Sequence, residues 1–191
     1  MLKRAAFFLI LIISSFITRA QTADEVYNKY LDFNLARFGG ESEKALSLGE
    51  EILPNVDKLN DKSRISFYYS IGNLYENDSQ SVKAIEYYEK VAAAVPDYYV
   101  AQRALGYLYN KQADEIKQKT VTDTASLQQY QDAIKKALPH LEKAQACDPD
   151  DDTLELIKTL YTNINDKQGL DTLNTRLKIL SKNCVDLLEE K

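Results

Sequence analysis

Residues 65–98 read ISFYYSIGNLYENDSQSVKAIEYYEKVAAAVPDY. Tyr68, Ile71, Gly72 and Tyr75 stand at i, i+3, i+4 and i+7, which puts them on one face of a helix. Gly72 carries no side chain, so a second helix can approach closely there. Ala84, Tyr88 and Val91 follow the same period and predict the inner face of that second helix, with Ala84 opposite Gly72. Pro96 lacks an amide hydrogen, stops the second helix and turns the chain. One such hairpin cannot bury both its faces alone, so neighbouring hairpins must stack on it.

The skeleton Tyr68-x2-Ile71-Gly72-x2-Tyr75, Ala84-x3-Tyr88, Pro96 resembles the 34-residue tetratricopeptide (TPR) pattern W-x2-L-G-x2-Y…A-x3-F…P, with Tyr for Trp, Ile for Leu and Tyr for Phe. The resemblance implies an all-α fold, a right-handed stack of about four helical hairpins forming one domain over residues 21–191. The hairpins fall near residues 22–60, 64–98, 99–150 and 152–188.

Residues 22–60 read as a degenerate first repeat. Thr22-x-x-Glu25 is a capping-box signature before an amphipathic run through Val26, Tyr30, Phe33 and Leu35. Gly39-Gly40 breaks that helix, and Ala45, Leu48 and Ile52 lead a second one to Pro54. In the third repeat, Leu105-Gly106-x2-Tyr109 restarts the pattern 34 residues after Ile71-Gly72-x2-Tyr75. Its second half is Ala137-x3-Leu141-x2-Ala144 with Pro149. Tyr75 to Ala84 is 9 residues and Tyr109 to Ala137 is 28, so 19 residues are inserted. Ala113 and Ile116 prolong the first helix, and Leu127, Tyr130 and Ile134 run in phase with Leu138 and Leu141. Only Thr120 to Ser126 reads as a turn. Both helices are expected to grow by about two turns into an arm, residues 110–138, with Pro139 kinking the second. In the last hairpin Asp152-x-x-Glu155 predicts a cap, Gly169 a separation, and Leu173, Leu177, Leu180, Cys184 and Leu187 the stripe of a final helix.

Residues 1–20 have the build of a secretory signal peptide. Lys3 and Arg4 precede an apolar run from Ala5 to Ile17, and Thr18-Arg19-Ala20 supplies small residues at −3 and −1. The 13-residue run falls short of the roughly 20 residues that span a bilayer. The expectation is cleavage near Ala20 and export to the periplasm or beyond, with an uncleaved anchor as the alternative. No Cys stands near residue 20 to carry a lipid.

The whole chain has 24 Lys plus Arg against 29 Asp plus Glu; without Lys3, Arg4 and Arg19 the balance is 21 against 29, a net charge of −8. That sign disfavours nucleic acid or an anionic membrane surface as the main partner. A hydrophobic fraction of 45% argues against disorder.

Nothing in the chain points to catalysis or a cofactor. His140 is the single His, beside a Pro in a helix that the pattern already explains, and no second His joins a Cys in a metal site. Glycine-rich phosphate loops and the G-x-S-x-G elbow are missing. Asp148-x-Asp150-x-Asp152 opens like a calcium loop but has Thr153 where Gly is needed and Thr159 where Glu is needed. Asn77-Asp78-Ser79 is a formal glycosylation acceptor.

The TPR resemblance also implies where binding falls. In that family the first helices line a concave groove for an extended peptide or a partner helix. Carried over by position, the groove has Ser66, Tyr69, Ser70, Asn73 and Glu76 in the central repeat. The split repeat adds Val100, Arg103, Ala104, Tyr107 and Asn110, and the first repeat adds Tyr27, Tyr30, Asn34 and Arg37. Asn34 and Asn73 share one repeat position, and an amide that donates and accepts suits a peptide backbone. Tyr69 and Tyr107 offer amphipathic area, and Arg37 and Arg103 a carboxylate partner. The same resemblance runs the second helices of adjacent repeats side by side, which makes a Cys147–Cys184 disulfide imaginable; burial of both as small hydrophobes is the alternative. The functional expectation is a non-catalytic scaffold for another protein or peptide. The alternative is a self-assembling module, a homodimer through the arm, and an enzyme stands behind both.

Overall fold

The computed structural model describes residues 21–119 and 124–186. The expected signal peptide, residues 120–123 of the insert and Leu187 lie outside them. The described residues are helical almost throughout: α1 (Ala23–Phe38), α2 (Ser42–Ile52), a 3-10 turn (Leu53–Lys58), α3 (Asp61–Asn77), α4 (Ser81–Ala94), α5 (Tyr99–Gln118), α6 (Thr124–Cys147), α7 (Asp151–Asn163) and α8 (Lys167–Leu180). α1 packs on α2, α3 on α4 and α5 on α6, and α2–α3 and α4–α5 contacts join successive pairs. α7 and α8 both lean on α6.

Local chemistry sets the helix starts. Thr22 and Glu25 form the reciprocal capping box on α1, Glu25 N donating to Thr22 Oγ1 (3.2 Å) and Thr22 N to Glu25 Oε2 (2.8 Å). Asn60 caps α3 through Ser63 N (2.9 Å). α7 is capped by Asp150, which accepts from Thr153 N at 2.8 Å, rather than by Asp152 as the spacing predicts. Gly169 does not separate α7 from α8; it lies in the first turn of α8, and its amide donates to the cap Asp166 (2.8 Å). The break falls at Ile164–Asp166, where Asn165 takes φ 56°.

One aromatic and aliphatic core runs through the pairs, with Phe33, Phe67, Ile71, Tyr75, Tyr88, Leu105, Ile134, Leu141 and Ile157 all buried. Phe33 and Phe67 meet edge to face with centroids 5.1 Å apart. Leu35, expected on the inner face of α1, is 73% exposed, and Ala36 takes the core position instead. The close helix approaches rest on glycine. A Cβ on Gly72 would lie 3.2 Å from the Tyr88 ring, so Tyr88 rather than Ala84 is the side chain against it. A Cβ on Gly106 would lie 2.6 Å from Leu141 Cγ and 3.0 Å from its backbone N.

The third pair is the long one. In the repeat register Asn77, the end of α3, corresponds to Lys111, but α5 continues to Gln118. Ser81, the start of α4, corresponds to Ile134, but α6 begins at Thr124. Pro139 lies inside α6, so the carbonyl of Lys135 has no amide to accept from there. Tyr130, Ala133 and Ile134 bury their side chains within the molecule, while Leu127 stays 45% exposed.

After α8 the chain departs from expectation. The helix ends at Leu180, so Cys184 is not on its stripe but in an irregular segment, residues 181–186. That segment runs back to the α4–α5 turn, where Val185 forms a parallel bridge with Tyr98. Cys147 and Cys184 are joined by a disulfide with Cα atoms 5.6 Å apart. Neither is a buried hydrophobe: Cys184 is exposed and Cys147 half-buried. Leaving the helix is what brings Cys184 within bridging range, since helix axes usually stand 8–10 Å apart.

Candidate functional site

Eight of the fourteen groove positions, Asn34, Arg37, Tyr69, Asn73, Glu76, Arg103, Tyr107 and Asn110, fall into three groups by their contacts. The first surrounds the Tyr88 hydroxyl. Glu76 accepts from that hydroxyl at 2.8 Å, and the Tyr69 ring lies 5.7 Å from the Tyr88 ring and edge-on to Tyr98 at 5.3 Å. Asn73 accepts from Asn77 Nδ2 at 3.2 Å, and its amide acts on the Tyr88 hydroxyl, pulling its pKa slightly down. Burial, followed by the Glu76 carboxylate, raises the Tyr88 hydroxyl well above its ordinary pKa, so it stays a neutral donor. Tyr69, Asn73 and Glu76 are therefore a joined polar and aromatic surface on α3, partly open to solvent.

The second group is on α5, and its cation is already taken. Arg103 donates from Nη1 to Asp148 Oδ2 and from Nη2 to Asp148 O, both at 2.9 Å. A ligand carboxylate expected on Arg103 is thus replaced by the chain's own α6–α7 connection. The Tyr107 hydroxyl lies 2.7 Å from Thr153 Oγ1, at the start of α7. Asn110 donates to Asp114 at 3.4 Å. The Arg103 pair closes a contact 45 residues apart in sequence, and no local spacing announces it.

The third group is on α1. Arg37 Nη2 donates to Asn34 Oδ1 at 3.4 Å, and its guanidinium lies 4.1 Å above the Phe38 ring. Tyr30, assigned to the groove by its register, is a core residue at 5% exposure. Tyr27 (43%), Leu31 (47%), Leu35 and Phe38 (77%) stand instead on the outer side at i, i+4, i+8 and i+11. This continuous apolar stripe was legible as spacing, but Leu35 also fits the Val26-Tyr30-Phe33 series, and that reading hid it.

No protein-family model and no curated protein matches this chain.

His140 is occupied structurally. Its Nδ1 lies 2.5 Å from Gln102 Oε1, Gln102 Nε2 donates to Pro96 O (2.8 Å), and the ring stacks on Tyr109. Burial lowers its pKa, against a smaller opposing pull from Glu89. A cavity of about 620 Å³ opens beside Lys135, Pro139, Glu142, Tyr161, Asp166 and Arg176. Buried Glu142 accepts from Arg176 Nε (2.8 Å), Arg176 Nη2 (2.6 Å) and the Tyr161 hydroxyl, so its oxygens are committed to tying α6, α7 and α8 together. Among the described residues no group of His, Cys, Asp or Glu is placed to hold a metal ion. Among them, too, no helix is long and apolar enough to cross a membrane.

Proposed function

We propose that this chain is an exported, non-catalytic scaffold with a TPR-like stack of hairpins, holding an apolar segment of another protein along the open face of α1 and α3. The observation that carries this is the exposed stripe Tyr27, Leu31, Leu35 and Phe38. Four large apolar side chains in line on one helix are the kind of patch that marks an interaction surface. Asn34 supplies an amide on the same helix, and on α3 Asn73 offers a second amide and Tyr69 amphipathic area. Arg103 and Tyr107, held by Asp148 and Thr153, belong to the scaffold and not to the contact. The resemblance of residues 65–98 to a TPR supports the architecture, and the signal-like residues 1–20 support export. The disulfide fits an oxidising compartment.

Peptide display tests the reading. Peptides selected on the chain should be rich in apolar side chains and should lose at least tenfold in affinity, by fluorescence anisotropy, for a Leu31→Asp/Phe38→Glu variant. Equal binding to that variant contradicts the reading. Self-assembly through the arm has less support, because its seam is buried internally apart from Leu127. A concentration-dependent mass abolished by Leu127→Asp is the result that would favour it.

A further inference from the structure

We infer that the α4–α5 turn, Asp97–Tyr99, is a backbone-pairing site for an extended peptide, occupied in this state by the chain's own residues 183–186 and unlocked by reduction of Cys147–Cys184. This site is separate from the α1–α3 face and does not depend on it. Tyr99 opens α5, and its amide belongs to the first turn, where no intrahelical acceptor exists. The cap residue Tyr98 has no side chain able to satisfy it and makes no side-chain cap bond. Instead Tyr99 N donates to Val185 O (3.1 Å), and Val185 N donates back to Asp97 O (2.8 Å). This two-bond bracket is how an added strand is held, and it reads backbone rather than sequence. Val185 packs on the core beside Tyr98, so the pocket side takes a small branched apolar residue.

Two devices keep the segment there. Lys143, buried at 7% exposure, donates to Asp97 Oδ1 (2.7 Å), to Leu180 O (3.2 Å) and to Asn183 O, three acceptors for three protons. The disulfide anchors Cys184, the residue next to the bracket. Lys143 keeps Asp97 and Leu180 when the segment leaves; the disulfide alone ties the segment covalently to α6. Cys184 is exposed, open to a dithiol reductant. A thiolate of the dithiol attacks Cys184 Sγ, the S–S bond breaks, and its electron pair leaves on Cys147 as thiolate. The second thiol then displaces Cys184 from the mixed disulfide, and the reductant departs as its own disulfide. Two electrons and two protons pass to the cysteine pair. Val185 is then held by hydrogen bonds that water can replace, and the bracket is free for a peptide in trans.

The test compares oxidised chain, chain reduced with dithiothreitol, the Cys147→Ser/Cys184→Ser variant, and Val185→Pro, which deletes one bracket donor and keeps the disulfide. Amide hydrogen exchange reads Tyr99. A fluorescein-labelled peptide Lys-Asn-Ser-Val-Asp, copying residues 182–186 with Ser for Cys184, is the binding probe. In the oxidised chain Tyr99 should be protected and the probe should not bind. In the other three, exchange at Tyr99 should rise at least tenfold while Leu105 and Ile134 stay protected, and saturating probe should bind and restore Tyr99 protection. Unchanged protection after reduction overturns the gate. An exposed Tyr99 that the probe does not re-protect overturns the site, and loss of protection throughout the chain shows a fold staple and overturns both.

Discussion

Gly106 and Gly72 occupy the same repeat position but differ in how tightly they are faced. A Cβ on Gly106 meets Leu141 Cγ at 2.6 Å and its backbone N at 3.0 Å, whereas one on Gly72 meets the edge of the Tyr88 ring at 3.2 Å. Gly106→Ala should therefore destabilise by about 1–3 kcal/mol, the usual cost of overpacking. Gly72→Ala should stay within about 1 kcal/mol of wild type, because the helix propensity gained offsets a small ring shift. Urea unfolding of the two variants checks the ranking. His140 makes a prediction about pH. Its folded pKa lies below its ordinary 6.5 because the ring is buried, so between those two values the unfolded chain binds more protons. Its contribution to stability is present above pH 6.5 and is lost as pH falls from there towards the folded value. Wild type should lose more stability than His140→Gln between pH 7.5 and 5.5. An equal loss would remove His140 from the account. The residues that were easy to read are those with local causes: Thr22 and Glu25 cap α1 because they stand three apart beside the same backbone amides. Arg103 was misread because its partner, Asp148, is 45 residues away.

At the scale of elements, helix positions follow from periodicity and caps, but helix endings after α6 do not. Leu173, Leu177 and Leu180 continue in phase to Cys184, yet α8 stops at Leu180 because the next residues gain more elsewhere: the Lys143 ammonium, the bridge to Tyr98 and the disulfide. Those gains are non-local and leave no mark on the spacing. Closing a loop across a sequence separation of 37, the disulfide should contribute about 3–4 kcal/mol by constraining the unfolded chain. The Cys147→Ser/Cys184→Ser variant should show that loss in urea unfolding with its helical circular dichroism intact; a loss under about 1 kcal/mol would mean that the native chain without the bridge releases residues 181–186 and so recovers most of the closure entropy. The Glu142 network binds α6, α7 and α8. Glu142→Ala should cost about 2–4 kcal/mol, below the figure for a fully buried pair because Arg176 is partly solvated. Thermal unfolding followed at 222 nm checks it.

For the molecule as a whole, the pairing of α3 with α4 and α5 with α6 was legible in the recurrence of Gly72 and Gly106 and of Ala84 and Ala137, and that of α1 with α2 in the Gly39-Gly40 break before the Ala45 series. The face available to a partner was less so. Register placed Tyr30 in the groove although its ring is needed in the core, and helical period placed Leu35 in the core although Ala36 fills that place. The proposed function requires the α1–α3 face to hold another protein. Its most direct test is photo-crosslinking in the producing cells, with benzoylphenylalanine at Leu31, at Phe38 and, as a control on α4, at Val82, which is as exposed as Phe38. One discrete adduct of the same mass is expected from positions 31 and 38, and none of that mass from 82. Adducts that are identical at all three positions, or missing at 31 and 38, would contradict it.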